Sequence, residues 1–201
     1  MPNNFKSLTD EELMKRFQDG EVECFDELVR RYKNQLLNFI FRFIGDKEVA
    51  EDLLQETFLR LFRKKHYYRE IAKFSTWIYT IAGNLAKSEL RRRKRRTIFS
   101  IHNYGDEDKE FEIPDTSSDP FQNTQTDFAL AEIQKAIDEL PLHFKEVILM
   151  RDVQELSYEE IAQGLNIPLG TVKSRVNRGR LKLQEQLGHL YHTTAGNDKD
   201  K

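Results

Sequence analysis

The chain has 201 residues, 38% hydrophobic and 33% charged, enough for one medium domain or two small ones and polar in the way of small helical domains with much surface per core. Its one cysteine, Cys24, excludes an intrachain disulfide; no apolar run could span a bilayer and the N-terminus lacks a signal pattern, so a soluble cytoplasmic protein is expected. The net charge of -2 hides segregation, because Arg91 to Arg96 is wholly basic, Asp106 to Asp127 holds eight acidic residues against one lysine, and Asn166 to Lys182 holds five basic residues and no acid; polyanion contact at two places, with repulsion between them, is implied.

In chain order, Thr9 and Glu12 form a capping box that opens a first helix. Phe25, Leu28, Val29, Tyr32, Leu36, Phe39, Ile40 and Phe43 make a long stripe at helical spacing, which Gly45 ends, and Asp46 can cap the next helix. Val49, Ala50, Leu53, Leu54, Phe58, Leu61 and Phe62 continue the pattern, and a further helix carries Trp77, Ile78, Ile81, Ala82 and Leu85 into the basic block. Gly83 inside that helix costs ~1 kcal/mol against alanine, which suggests a close backbone approach. Residues 5–96 thus read as one helical domain. Residues 97–126 lose the pattern, hold Gly105, Pro114, Pro120 and the acidic excess, and read as a flexible acidic linker. Helical spacing returns at Leu130, Ile133, Ile137 and Leu140, breaks at Pro141, and resumes with Phe144, Val147 and Ile148 in a second domain over 127–190. Residues 191–201 read as a disordered tail. The fold class expected is all-α: two small helical domains, with no strand.

Ser157 and Glu160 form a second capping box before Ile161, Ala162 and Leu165. Asn166 tolerates a left-handed turn, and Pro168 and Gly170 precede a last helix striped by Val172, Val176 and Leu183. This is the pattern of a helix-turn-helix. At about 100° per residue, Ser174, Asn177 and Arg178 face outward with Thr171 and Lys173 on the flanks. Asparagine and arginine suit adenine and guanine edges in the major groove, while Lys173, Arg175 and Arg180 suit phosphates. An ordinary amphipathic helix with a solvated basic face is the competing reading.

Two further clusters carry chemistry. Tyr67, Tyr68, Arg69, Phe74 and Trp77 stand before the helix of Asn84, Lys87, Arg91 and Arg92. Aromatic rings stack on unpaired bases and the cations track a backbone, as a melting duplex requires. Trp77 fits a core position equally well, and Tyr67 and Tyr68 fit the roof of a helix junction. Glu51, Asp52, Gln55 and Glu56 line one polar side of a helix, with Leu53, Leu54 and Phe58 at its margin. That face is either solvated or docks on a basic protein surface; Asp52 and Glu56 alone make a poor metal site, and neither a metal nor a cofactor is assigned. Cys24 reads as a small buried residue, and His189 and His192 give only a faint metal signal.

These residues together resemble a known family. Phe25, Leu28 to Tyr32, Ala50 to Phe58 and Phe74 to Asn84 resemble region 2 of bacterial sigma factors, while Leu156 to Ala162 and Gly170 to Arg175 resemble region 4. Their order and spacing are similar to those of the extracytoplasmic-function (ECF) group, over roughly residues 10–95 and 127–188. The resemblance implies that the stretch Glu51 to Phe58 docks on core RNA polymerase. It implies that Tyr67 to Phe74 captures a flipped base of the promoter's −10 element with Asn84 beside it, and that region 4 reads the −35 element. It also implies an anti-sigma factor as partner and a linker threaded toward the RNA path, where acidity suits a nucleic-acid mimic. A stand-alone helix-turn-helix regulator is the alternative. No phosphate-binding loop, metal-ligand triad or supported nucleophile–base pair is evident, so no enzyme is expected.

Overall fold

The computed structural model describes residues 5–103 and 124–194, with side chains over 5–96 and 128–188. Among the described residues there are eight α-helices and no strand: α1 (Asp10–Gln18), α2 (Glu23–Ile44), α3 (Lys47–Arg63), α4 (Phe74–Asn103), α5 (Thr124–Glu139), α6 (Leu142–Ile148), α7 (Tyr158–Leu165) and α8 (Leu169–Thr194). The all-α expectation holds.

Local chemistry sets the helix ends. The Thr9 hydroxyl accepts from the Glu12 amide while the Glu12 carboxylate accepts from the Thr9 amide, so α1 starts on a complete capping box. Gly45 closes α2 at φ 75°, a left-handed conformation that a side chain would oppose, and Asp46 accepts from the Val49 amide to open α3. The Ser157 and Glu160 box opens α7, and Asn166 ends it at φ 52°. One stretch departs from the expected pattern. After α6 the chain widens into a π turn over Leu149–Val153, with Glu155 at φ 57° before the chain enters α7.

Helix α4 runs to Asn103 and α5 begins at Thr124, so the expected linker is helical at both of its ends. Its acidic centre, residues 104–123, lies outside the described residues. The backbone of α8 continues to Thr194, past the expected start of the tail at 191, and the side chains of His189 and His192 lie outside the described residues.

Helices α1–α4 enclose Leu13, Phe17, Leu28, Phe39, Phe43, Phe74 and Ile78, and α5–α8 enclose Val147, Ile161, Val172 and Val176. Cys24 is fully buried, as expected. In the second unit α8 lies close on α6 because residue 179 is glycine: a Cβ there would stand 2.8 Å from Ile148 Cγ1. The two units do not stand apart. Their apolar residues form one continuous cluster, with α5 and the π turn against α2, and α7 against α4.

Charged and polar groups also tie the units together. The Lys145 ammonium is buried and donates to the Phe43 carbonyl at 3.3 Å and to Asp138 at 2.8 Å. Lys87 of α4 pairs with the buried Glu146 of α6 at 2.7 Å. Lys73 pairs with Glu160 at 2.7 Å, and Gln163 donates to the Ile71 carbonyl at 2.6 Å.

Candidate nucleic-acid interface

The α7–turn–α8 segment has the geometry its sequence dictates. Val172 and Val176 are buried, which turns Lys173, Ser174, Asn177 and Arg178 outward, all exposed; Thr171 and Arg175 lie half-buried on the flanks. The Ser174 hydroxyl donates to the Thr171 carbonyl one turn back and remains at the surface. Arg180 stands apart from this set. Its guanidinium pairs with both carboxylate oxygens of Asp152, Nε lying 3.1 Å from Oδ2, so it braces α8 against the π turn. Beside it Arg151 stacks over the Tyr158 ring at 4.9 Å and donates to the Leu156 carbonyl.

The aromatic residues of the first unit divide. Tyr67 is 77% exposed at the tip of the turn between α3 and α4, next to exposed Arg69 and Ile71. Tyr68 and Phe74 are core residues, 7% and 0% exposed. Tyr68 packs on Phe74 and Trp77, with ring centroids at 6.0 and 5.2 Å, and its hydroxyl donates to the Ala72 carbonyl. Burial pushes that hydroxyl up to about 12, so it stays a donor. Trp77 is half-buried against the core. Aromatic character alone is the same for a stacking platform and a core residue, which is why the sequence does not separate them.

Along α4, Asn84 and Arg91 are exposed. Arg92 is exposed but pairs with Glu89 at 2.7 Å, and Arg93 bridges Glu89 and Asp46. Lys87, expected at the nucleic-acid face, is instead engaged by Glu146. Gly83 explains how the acid comes so near: a Cβ there would stand 3.2 Å from Glu146 Oε1.

On α3, Glu51, Asp52 and Gln55 are exposed, Leu53, Glu56 and Phe58 half-buried, and Leu54 buried. Glu56 spends its charge on Arg60 at 2.7 Å. Among the described residues no group of three or more His, Cys, Asp or Glu could hold a metal ion. The same outward stripe continues through Leu59 and Phe62, 41% and 43% exposed, at helical spacing from Gln55. Phe62 caps an aromatic cluster with Phe17 and Phe25, at 5.3 and 5.2 Å. The stripe was readable from spacing but is easily taken for core, because Leu and Phe usually are. Lys73, Glu146 and Glu160 gave no sequence signal as partners.

Comparison with known proteins places both units. The model of sigma-70 region 2 matches residues 28–96 and that of sigma-70 region 4 matches residues 130–183. The chain is 34% identical to the RNA polymerase sigma-H factor of Pseudomonas aeruginosa over 185 residues, covering 90% of this chain and 95% of that one. It is 32% identical to the ECF RNA polymerase sigma factor SigW of Bacillus subtilis, covering 88% and 96%. Among solved structures it resembles the sigma factor RpoE bound to the anti-sigma factor NepR from Bartonella quintana, with a TM-score of 0.61 at 26% identity over 82% of this chain and 96% of that one.

Proposed function

The chain belongs to the extracytoplasmic-function (ECF) sigma factors, and on that footing we propose how its surfaces divide the work of starting transcription. It binds core RNA polymerase and directs promoter-specific initiation by reading the −35 element and melting the −10 element. Its relatives are initiation factors; we infer that polymerase supplies all the chemistry and that this chain acts in the cytoplasm without a cofactor. An anti-sigma factor is the expected regulator, as NepR is for the Bartonella protein.

The observation that carries the assignment of surfaces is the outward face of α8. Lys173, Ser174, Asn177 and Arg178 are exposed on a helix held by a capped partner helix and a left-handed turn. Asn177 and Arg178 read base edges of the −35 element, while Thr171, Lys173 and Arg175 position the phosphates and Arg180 fixes the helix angle. In the first unit Tyr67 and Arg69 meet the melted −10 strand, with Asn84, Lys87, Arg91 and Arg92 along its path. Tyr68, Phe74 and Trp77 hold that loop in shape from beneath. Glu51, Asp52 and Gln55, backed by Leu53, Leu54, Glu56 and Phe58, dock on polymerase, and Leu59 and Phe62 extend the contact with apolar area.

Run-off transcription tests this. Purified protein, core polymerase and fragmented genomic DNA are expected to give start sites that require both proteins. DNA binding with no start sites in the presence of core would identify a stand-alone regulator instead.

A further inference from the structure

Tyr67 is 77% exposed, so its position depends mainly on the backbone that carries it. That backbone is one short helical turn, Lys65–Tyr67. Within it the Tyr67 amide donates to the Lys64 carbonyl at 2.9 Å and the Tyr68 amide to the Lys65 carbonyl at 3.2 Å. A single turn is a poor holder of its own shape, because fixing its dihedrals costs more than so few hydrogen bonds return.

The hold comes from α1. At its C-terminal end the Gln18 side-chain amide donates to the Lys65 carbonyl at 2.7 Å and to the Tyr68 carbonyl at 3.0 Å. These two carbonyls bracket His66 and Tyr67. The clasp is returned from the other side. The Lys65 ammonium donates to the Phe17 carbonyl at 2.8 Å and lies 4.6 Å from the centroid of the Phe17 ring, which is fully buried. About two helical turns back on the same face of α1, Glu11 Oε1 accepts from the Phe74 amide at 3.0 Å, where α4 begins and amides lack helical partners. Helix α1 thus grips the segment from 65 to 74 at both ends and leaves Tyr67, Arg69 and Ile71 exposed between them.

Leu13, Met14 and Phe17 already bury α1 in the bundle. Gln18 is only half-buried, and its two hydrogen bonds both go to the turn that carries Tyr67. Helix α1 also precedes residues 28–96, the part that matches sigma-70 region 2.

We propose that Gln18 is a positioning residue for capture of the melted strand: it fixes the Lys65–Tyr67 backbone so that the Tyr67 ring is held ready to stack on a base, with Lys65 and Glu11 completing the grip. This rests on the reading of Tyr67 as a contact to the −10 strand. A turn already fixed spares strand binding the cost of ordering it. Without the grip the turn samples other shapes, and the apparent affinity for strand falls by the fraction of molecules that remain competent.

The test uses the full-length protein with core polymerase on a promoter fragment found by run-off mapping. Opening is read as permanganate reactivity of unpaired thymines, well below each variant's unfolding temperature. Gln18→Met keeps the length of the side chain and removes its donor. It is expected to lower the open-complex equilibrium about three- to tenfold, as loss of one or two such hydrogen bonds implies, and to leave core affinity at the wild-type value. A plain stabilising role would act with or without Tyr67, whereas a positioning role needs the ring. In the Tyr67→Ala background, Gln18→Met should therefore change opening by less than about twofold. Glu11→Ala, at the other end of the segment, should lose opening in the same Tyr67-dependent way. Wild-type opening in Gln18→Met, or an equal fold-loss with and without Tyr67 in either variant, overturns the proposal. If Tyr67→Ala alone leaves opening unchanged, the reading of Tyr67 fails and the proposal with it; if Tyr67→Ala weakens opening and Gln18→Met does not, only the positioning role fails.

Discussion

The two proposed nucleic-acid faces are both polar and basic, yet they meet different fates. The outward face of α8 carries Lys173, Ser174, Asn177 and Arg178 in the open, whereas Lys87 of α4 is half-buried against Glu146 and Lys73, though exposed, is paired with Glu160. Basic composition does not decide this. What decides it is whether the fold can bring acid against the face. Asn166 to Lys182 contains no acidic residue and its helix is wrapped by its own unit, while Glu146 and Glu160 of the second unit meet Lys87 of α4 and Lys73 just before it. A basic surface is thus available or withheld according to its neighbours across the chain.

The strongest test of the contrast separates packing from contact within the first unit. Phe74→Ala removes a fully buried ring and should cost about 3–5 kcal/mol of stability in urea unfolding. Tyr67→Ala, at 77% exposure, should leave stability within about 0.5 kcal/mol while weakening promoter opening, by up to the ~1–3 kcal/mol that a stacked base contributes. Equal stability losses would mean that the loop has no free aromatic platform. On α8, Asn177→Ala and Arg178→Ala should each cost about 1–3 kcal/mol of discrimination between −35 sequences without changing the melting temperature. A uniform loss over all sequences would move both residues to the phosphate class.

Two smaller effects bear on the same contrast. Ser157→Ala removes the α7 cap and should cost about 1 kcal/mol, read as a lower urea midpoint. Acid should act on the first unit through Glu27. Its hydrogen bonds from Arg30, and then Arg31, outweigh burial and hold its carboxyl down at about 2. A depressed carboxylate contributes stability that is present above its unfolded value and is lost as pH falls through the folded one. Urea midpoints should therefore decline from the usual carboxylate range down toward pH 2, and Glu27→Gln should flatten that decline. An unchanged slope in the variant would remove Glu27 from the account.

Much of the fold was legible because helix ends are local chemistry. The boxes at Thr9 and Ser157, the glycine turn at 45 and the left-handed Asn166 all follow from residues within a few positions of one another. The outward set on α8 followed from the buried positions of Val172 and Val176. The site was less legible wherever distant residues meet. Lys87 and Glu146 lie 59 positions apart, and no spacing rule links them. Arg180 looked like a phosphate ligand because its partner Asp152 sits on a π turn that helical periodicity does not anticipate. Tyr68 and Phe74 looked like stacking residues because a core position between α1, α2 and α4 has the same aromatic signature.

Glu160 divides its carboxylate between two tasks. Oε2 accepts from the Ser157 amide and Oε1 holds Lys73. The oxygen that starts α7 is therefore not the oxygen that holds the seam. Loss of the Lys73 pair alone therefore leaves the contact that starts α7 in place. The start of a helix and a contact between the units are thus served by different atoms of a single side chain.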